Sequence, residues 1–380
     1  MSLQTVPPFN PGNIDTLALH GGSFRADPAT GATQVPIYQS TSFDLQSTER
    51  ADRLVNFEEI GFVYARTGNP TARVLEERLA AIEGGAAAVA LASGQAAVAL
   101  SVLTLVQAGD NIVTGTDLYG GTWNFFANRL KQFGIEARFV DPADPEAFRA
   151  ATDDRTRLYF GETLANPKLH VFPIREVAEI GRSFGIPLII DNTAAPLLAR
   201  PIDHGAAVVV HSATKYIGGH GTTIGGVIID SGQFPWEQFA ERHRLITGPD
   251  PSYNGRNWLD IARPFGPIAY AFAARAGLLR DLGPSLSPQN AFQLIQGVET
   301  LPLRIRQQTA SAARVADYLA KHPKVESVIY PGQQSGEVRR RADTYLKGGY
   351  GALVGFELPG GFAAGRRFID ALQLLFHVAN

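Results

Sequence analysis

The sequence has no cysteine. That excludes disulfides, cysteine-ligated zinc, iron–sulfur clusters and a thiol nucleophile. It also lacks an excess of either charge: 34 Lys and Arg face 36 Asp and Glu, for a net charge of -2. Such a balance gives no electrostatic basis for a nucleic-acid or membrane-surface partner, and none is expected. Residues 1–15 have neither a basic start nor an apolar core, so no signal peptide is read there and a cytoplasmic setting is expected. The longest apolar run, residues 86–106, is rich in Ala and broken by Ser93-Gly94-Gln95. It reads as a buried strand, a turn and a buried helix, not a membrane span. Several catalytic signatures are missing too. The glycines of 218–226 do not space as a dinucleotide fingerprint, because Ile224 stands where the third glycine belongs. Lys215 lacks the upstream glycines of a Walker A motif, and no Gly-x-Ser-x-Gly elbow occurs.

What is present is an ordinary globular composition, 45% hydrophobic and 18% charged. A length of 380 residues suggests two or three domains. Residues 1–62 read as an N-terminal arm rich in turn residues. From 63 to 262, short apolar runs alternate with helical periods. The runs are Ala88–Ala92, Asn111–Thr114, Ala137–Val140, Leu158–Gly161, Leu188–Ile190, Val208–Val210 and Gly226–Ile229. The helical stretches are Ala72–Ile82, Gln95–Val106, Trp123–Phe133 and Ile174–Phe184. This alternation predicts an α/β domain with a large, mostly parallel sheet. From 263 to 380 the texture predicts a smaller α+β domain. Helices are expected at Ala271–Leu282, Gln289–Tyr318 and Ala364–Leu372, and strands at Val325–Tyr330 and Gly351–Leu358.

In open α/β sheets, ligands bind beyond the carboxyl ends of the strands. Here those ends carry chemistry. Leu188–Ile190 runs into Asp191-Asn192-Thr193, and Val208–Val210 into His211-Ser212-Ala213-Thr214-Lys215. Ala88–Ala92 runs into Ser93-Gly94-Gln95, which reads either as a plain cap or as an anion site at a helix N-terminus. Asn111–Thr114 leads to Tyr119-Gly120-Gly121, and Leu158–Gly161 leads through Glu162 to Asn166-Pro167. Asp191 reads equally as a cap for the next segment. His211 and His220 have no third ligand in spacing, so no metal site is expected. A lysine, a carboxylate, an aromatic residue, hydroxyls and a glycine turn together could hold an aromatic, anionic cofactor.

These residues fall in recognisable motifs. They are Tyr64-Ala65-Arg66-Thr67-Gly68-Asn69-Pro70-Thr71, Ala92-Ser93-Gly94-Gln95-Ala96-Ala97 and Tyr119-Gly120-Gly121-Thr122, with Asp191-Asn192-Thr193. The most specific runs from His211 through Ser212-Ala213-Thr214-Lys215-Tyr216 to Gly221. From His20 to Asn380 the chain resembles the pyridoxal phosphate (PLP)-dependent enzymes of Cys/Met metabolism, which share the aspartate-aminotransferase-like fold (fold type I). The resemblance implies PLP held as a Schiff base on Lys215. Asp191 is then expected to pair with the pyridine nitrogen, Tyr119 to stack on the ring, and Asn166 to lie near the 3'-oxygen. Gly94, Gln95, Ser212 and Thr214 are expected at the phosphate. Tyr64 and Arg66 are expected to reach the phosphate of a neighbouring subunit, which implies a homo-oligomer, at least a dimer and as a further expectation a tetramer. Tyr64 or Tyr119 is expected to assist proton transfer.

Within the family the chain is most similar to the O-acetylhomoserine sulfhydrylases. That similarity rests on Ser252-Tyr253-Asn254-Gly255, on Leu278–Gly283 followed by Ser287-Pro288-Gln289-Asn290-Ala291, and on Gly297-Val298-Glu299-Thr300-Leu301. It implies γ-replacement, in which an amino-acid substrate, O-acetylhomoserine, and sulfide give homocysteine and acetate in methionine biosynthesis. Cystathionine γ-synthase and methionine γ-lyase are the alternatives. The lyase usually has Cys where Gly121 stands, and the sulfhydrylases usually have His where Asn254 stands. Family members also continue past Asn380, through a serine and an arginine that grip the substrate carboxylate. A longer natural protein is therefore expected, or else a PLP-binding chain with impaired turnover.

Overall fold

The computed structural model describes residues 12–378. The first eleven residues of the expected arm, and Ala379 and Asn380, lie outside the described residues. Each of the seven apolar runs forms a strand: β1 (Ala87–Leu91), β2 (Asn111–Gly115), β3 (Glu136–Val140), β4 (Thr156–Glu162), β5 (Leu188–Asp191), β6 (Val208–His211) and β7 (Gly226–Asp230). They make one sheet in the order β1-β7-β6-β5-β4-β2-β3. Pairing is parallel from β6 to β3, and β7 runs antiparallel to both its neighbours, β1 and β6.

Both faces of the sheet are buried, which is why its strands read as apolar runs rather than alternating ones. Successive residues of a strand point to opposite faces. Leu188 and Ile190 accordingly join one core with Val209 and Ile229, while Ile189 joins the other with Val208, Val210 and Ile228. The helices Pro70–Glu83 and Ile174–Phe184 and the first half of Pro288–Ala320 cover the first face. The helix Gly94–Leu103 and the segment 269–279 cover the second.

Local chemistry sets the helix ends that matter to the site. Ser93 caps Gly94–Leu103, its hydroxyl accepting from the Ala96 amide at 3.1 Å. Asn69 caps Pro70–Glu83 with Pro70 in the first turn, where its missing N–H costs nothing. Ile174–Phe184 has the predicted bounds and ends at Gly185 in the left-handed region. Two predicted helices are less regular than expected. Trp123–Phe133 is an α turn ending at Asn124, a π turn over Phe125–Arg129 and a 3-10 turn over Leu130–Phe133. Ala271–Leu282 likewise passes through a π segment at Ala273–Leu279. Hydrophobic periodicity reports which face is buried, not which amide bonds to which carbonyl, so it could not separate these from α-helix.

Beyond the long helix Pro288–Ala320, β8 (Ser327–Ile329) and β9 (Gly355–Glu357) pair antiparallel. Both are shorter than their predicted runs. Ala312, Ala316 and Tyr330 form a separate small core beneath them. Helices Gly336–Tyr345 and Gly361–Asp370 complete this region. Among the described residues no helix is long and apolar enough to cross a membrane.

Candidate active site

Lys215 sits in the turn that follows β6. Its amide donates to the Ser212 carbonyl at 3.2 Å, and its carbonyl accepts from Gly219 at 2.8 Å. Gly219 holds φ +71°, a conformation that side chains resist. The lysine is half-buried, and that burial holds its ammonium below the ordinary lysine value. The neutral amine, the form that attacks a carbonyl, is correspondingly favoured.

The turn is tied to the neighbouring strand end. The Ser212 amide donates to the Thr193 hydroxyl at 2.7 Å, and the Thr193 amide donates to Asp191 Oδ1 at 2.9 Å. Lys215, Ser212, Thr193 and Asp191 thus form one connected series across β6 and β5. Burial raises the Asp191 carboxyl, while hydrogen bonds from Thr193 and the nearby His211 oppose that rise. The motif Asp191-Asn192-Thr193 gives Thr193 no role of its own, yet it joins Asp191 to Ser212.

The opposite flank is built from the first turn of Gly94–Leu103. Its first two amides, Gly94 and Gln95, have no carbonyl acceptor in the preceding turn, as a helix N-terminus dictates. A Cβ on Gly94 would lie 2.5 Å from Ser212 Cβ and 2.7 Å from its hydroxyl, so only glycine lets the helix approach the lysine turn. A Cβ on Gly121 would meet both the Tyr119 ring, at 2.5 Å, and the Gln95 amide group, at 3.1 Å. Tyr119, Gln95, Gly94 and Ser212 therefore share one corner. Thr214 is engaged differently: its hydroxyl donates to the Gly225 carbonyl and accepts from the Gly225 amide, both at 3.1 Å.

Glu162 is the last residue of β4 and lies in register with Asp191. It accepts from the Tyr119 amide at 2.6 Å and from the Asn166 amide at 3.4 Å. Burial, then the Asp191 charge, push its carboxyl well above the ordinary glutamate value. In the sequence Glu162 is only the link from its strand to Asn166. A single charge closing an apolar strand was the available signal.

Tyr64 and Arg66 lie apart from this cluster. Both are exposed, with the guanidinium 5.4 Å from the Tyr64 ring centroid. Among the described residues neither hydrogen-bonds to the Lys215 cluster. Their loop is held from behind by Arg275, which donates to the Thr67 and Ala88 carbonyls and pairs with Glu76 at 2.7 Å.

Two further groups brace the site. Arg304, on the long helix, donates to the carbonyls of Tyr216 at 2.6 Å, Ile217 at 3.1 Å and Gly297 at 2.7 Å. Behind the strand ends, buried Glu83 Oε1 receives Asn192 Nδ2 at 3.0 Å and lies 2.7 Å from His211 Nε2. His220 faces outward on the lysine loop, its Nδ1 2.7 Å from the Gly218 carbonyl. The two histidines thus serve different neighbours.

Residues 15–380 match the family of Cys/Met metabolism PLP-dependent enzymes. The chain belongs to that family. It is 47% identical to an O-acetyl-L-homoserine sulfhydrylase of Leptospira meyeri, over 96% of this chain and 84% of that protein. It is 45% identical to O-acetyl-L-homoserine sulfhydrylase 1 of Thermus thermophilus, over 97% and 86%. It is 42% identical to the homocysteine/cysteine synthase of Saccharomyces cerevisiae, again over 97% and 86%. In structure it resembles a putative O-acetylhomoserine (thiol)-lyase from Campylobacter jejuni, with a TM-score of 0.92 and 37% identity, covering 97% of this chain and 89% of that one. That crystal structure carries a pyridoxyl-lysine monophosphate.

This family member is a PLP-dependent enzyme of fold type I, and its residues fit the cofactor. The free amides beside the Gly94–Ser212 cradle suit a phosphate. Asp191 suits a protonated ring nitrogen, and a lysine held toward its neutral form suits an aldehyde.

Proposed function

We propose that this chain performs γ-replacement on O-acetylhomoserine, with sulfide entering and acetate leaving to give homocysteine in methionine biosynthesis. The observation that carries the reading is the connected series Lys215–Ser212–Thr193–Asp191 beside the helix N-terminus at Gly94. The sulfhydrylase relatives fix the chemistry to which that series is put.

Pyridoxal phosphate supplies an electron sink beside the substrate α-carbon. The protein's residues do the rest. Lys215 Nζ would hold the cofactor covalently, and its amine, when free, would take the substrate α-proton and carry it onward. Asp191, whose carboxyl is raised by burial and lowered in part by Thr193 and His211, would pair with a protonated ring nitrogen and deepen the sink. Tyr119 would stack on the ring, and Asn166 would lie near the 3'-oxygen. Gly94 and Gln95 would give backbone donors to the phosphate, with the Ser212 hydroxyl and, once turned from the Gly225 carbonyl, the Thr214 hydroxyl. Tyr64 and Arg66, exposed on their own subunit, complete the phosphate site of a neighbour, and Tyr64 or Tyr119 assists the acid–base steps. The functional unit is therefore a homo-oligomer of at least two chains. In the overall exchange a C–O bond at the γ-carbon breaks, a C–S bond forms there, and the electron pair leaves with acetate.

The test has two parts. Borohydride reduction with pyridoxal phosphate, followed by peptide mapping, is expected to label Lys215. O-acetylhomoserine with sulfide is then expected to give homocysteine and acetate in equal amounts. Label on another lysine overturns the site, and turnover with cysteine but not sulfide moves the reading to cystathionine synthesis.

A further inference from the structure

We propose that Glu162 is a positioning residue that sets both flanks of the cofactor site at once, by tethering Tyr119 and Asn166 to a single buried carboxylate. The inference rests on the reading that Tyr119, Asn166 and Asp191 contact pyridoxal phosphate, and it adds a residue to which that reading gives no part.

Tyr119 begins the short helix Gly120–Asn124, whose N-terminus has no side-chain cap of its own. The backbone there is held from another strand instead. The Tyr119 amide donates to Glu162 Oε1 at 2.6 Å, across 43 residues of sequence. Asn166 lies in an exposed loop closed by the bridge between Leu164 and Val171. Its amide donates to Glu162 Oε2 at 3.4 Å. The two oxygens of one carboxylate therefore hold two separate loops.

Glu162 is itself rigidly placed. It is the final ladder residue of β4, with Asp191 opposite it on β5. It is 6% exposed. It lines a cavity with Asp117, His170 and Arg341, so further charged and titratable groups face the same region. Accepting two N–H groups suits an ionised carboxylate, whereas burial and the Asp191 charge oppose ionisation. A cation beside Asp191 relieves that opposition, so the tether is strongest when the ring nitrogen is protonated. Misplacing the groups that orient a reacting centre, even slightly, is costly.

The experiment compares E162A, E162M and E162Q in the full chain, with pyridoxal phosphate as the probe. E162A removes both acceptors. E162M fills nearly the same volume without an acceptor, and carries the comparison if E162A does not fold. E162Q keeps an oxygen for the Tyr119 amide but turns a donor toward Asn166. The readouts are the visible circular dichroism of the bound cofactor, its dissociation constant, and borohydride labelling of Lys215. E162A and E162M are expected to bind the cofactor about tenfold more weakly, in line with two buried amides left without their acceptor. Their cofactor ellipticity is expected to collapse while Lys215 is still labelled. E162Q is expected to keep most of the ellipticity. Ellipticity and affinity in E162A and E162M within twofold of wild type would overturn the tether, as would E162Q losing as much as they do. If wild-type Lys215 takes no label, the cofactor reading falls and the tether with it; if it labels normally and only the variants behave unexpectedly, the tether alone falls.

Discussion

The Thr193 hydroxyl accepts the Ser212 amide at 2.7 Å, while the Thr193 amide binds Asp191 at 2.9 Å. One residue thus couples the strand that presents the carboxylate to the turn that presents the lysine. T193V keeps the shape but deletes the acceptor and a hydrogen bond that lowers the Asp191 carboxyl. We expect kcat/KM to fall about tenfold, from an amide left without its acceptor. The acid limb of the pH–rate profile should move to higher pH, because Asp191 becomes harder to ionise. T193S should stay within about threefold of wild type. Steady-state rates across pH check both points.

Arg304 spends its guanidinium on backbone carbonyls of the lysine loop and of its own helix. A Cβ on Gly219 would lie 2.2 Å from Arg304 Nη1, so the loop is shaped around this side chain. R304A should destabilise the protein by about 1.5–3 kcal/mol, the range for hydrogen bonds to charged groups. Turnover should fall as well, because the segment following Lys215 loses its anchor. R304K should recover less than half of either loss, since an ammonium cannot reproduce the planar fork. Urea unfolding and kcat measured on the same preparations check this.

Asp230 predicts a pH dependence of stability away from the site. Burial pushes its carboxyl up to about 6, despite amides from Gly232 at 2.9 Å and Ala271 at 3.0 Å. Its folded value therefore lies above its unfolded one. The contribution is complete below about pH 4 and is lost as pH rises through about 6. Asn at this position does not ionise and shows no such loss. The stability of wild type relative to D230N should fall by roughly 1–2 kcal/mol between pH 5 and 7.5. Unfolding of both proteins at the two pH values measures it; a constant difference would show that Asp230 does not titrate in that window.

The sheet was legible because burial on both faces writes its strands as short apolar runs, and the residues after each run named most of the site. Lys215, Asp191, Tyr119, Gly94 and Ser212 could be found that way because each stands at a strand end. Glu162, Thr193 and Arg304 could not be given roles. Glu162 and Arg304 act on partners far along the chain, Tyr119 across 43 residues and Tyr216 across 88, and Thr193 acts across two strands on Ser212. A single sequence records no such pairings. The π segments escaped for a local reason: their buried faces match those of α-helices. Tyr64 and Arg66 belong to a third case, since their motif was readable while their exposed position in one chain completes nothing by itself.

The reversed direction of β7 affects how the lysine is acquired in folding. A parallel neighbour of β6 would need a crossover connection passing over a face of the sheet. Because β7 returns antiparallel, with His211 opposite Val227, the chain leaves and re-enters the sheet at the same end of its strands. The intervening loop, with Lys215 in it, closes a short circuit, and loop-closure entropy grows with length. Short-range circuits of this kind form readily, whereas the link from Glu162 to Tyr119 must wait for β2 and β4 to pair. The turn that carries Lys215 thus depends on a shorter closure than the link from Glu162 to Tyr119 does.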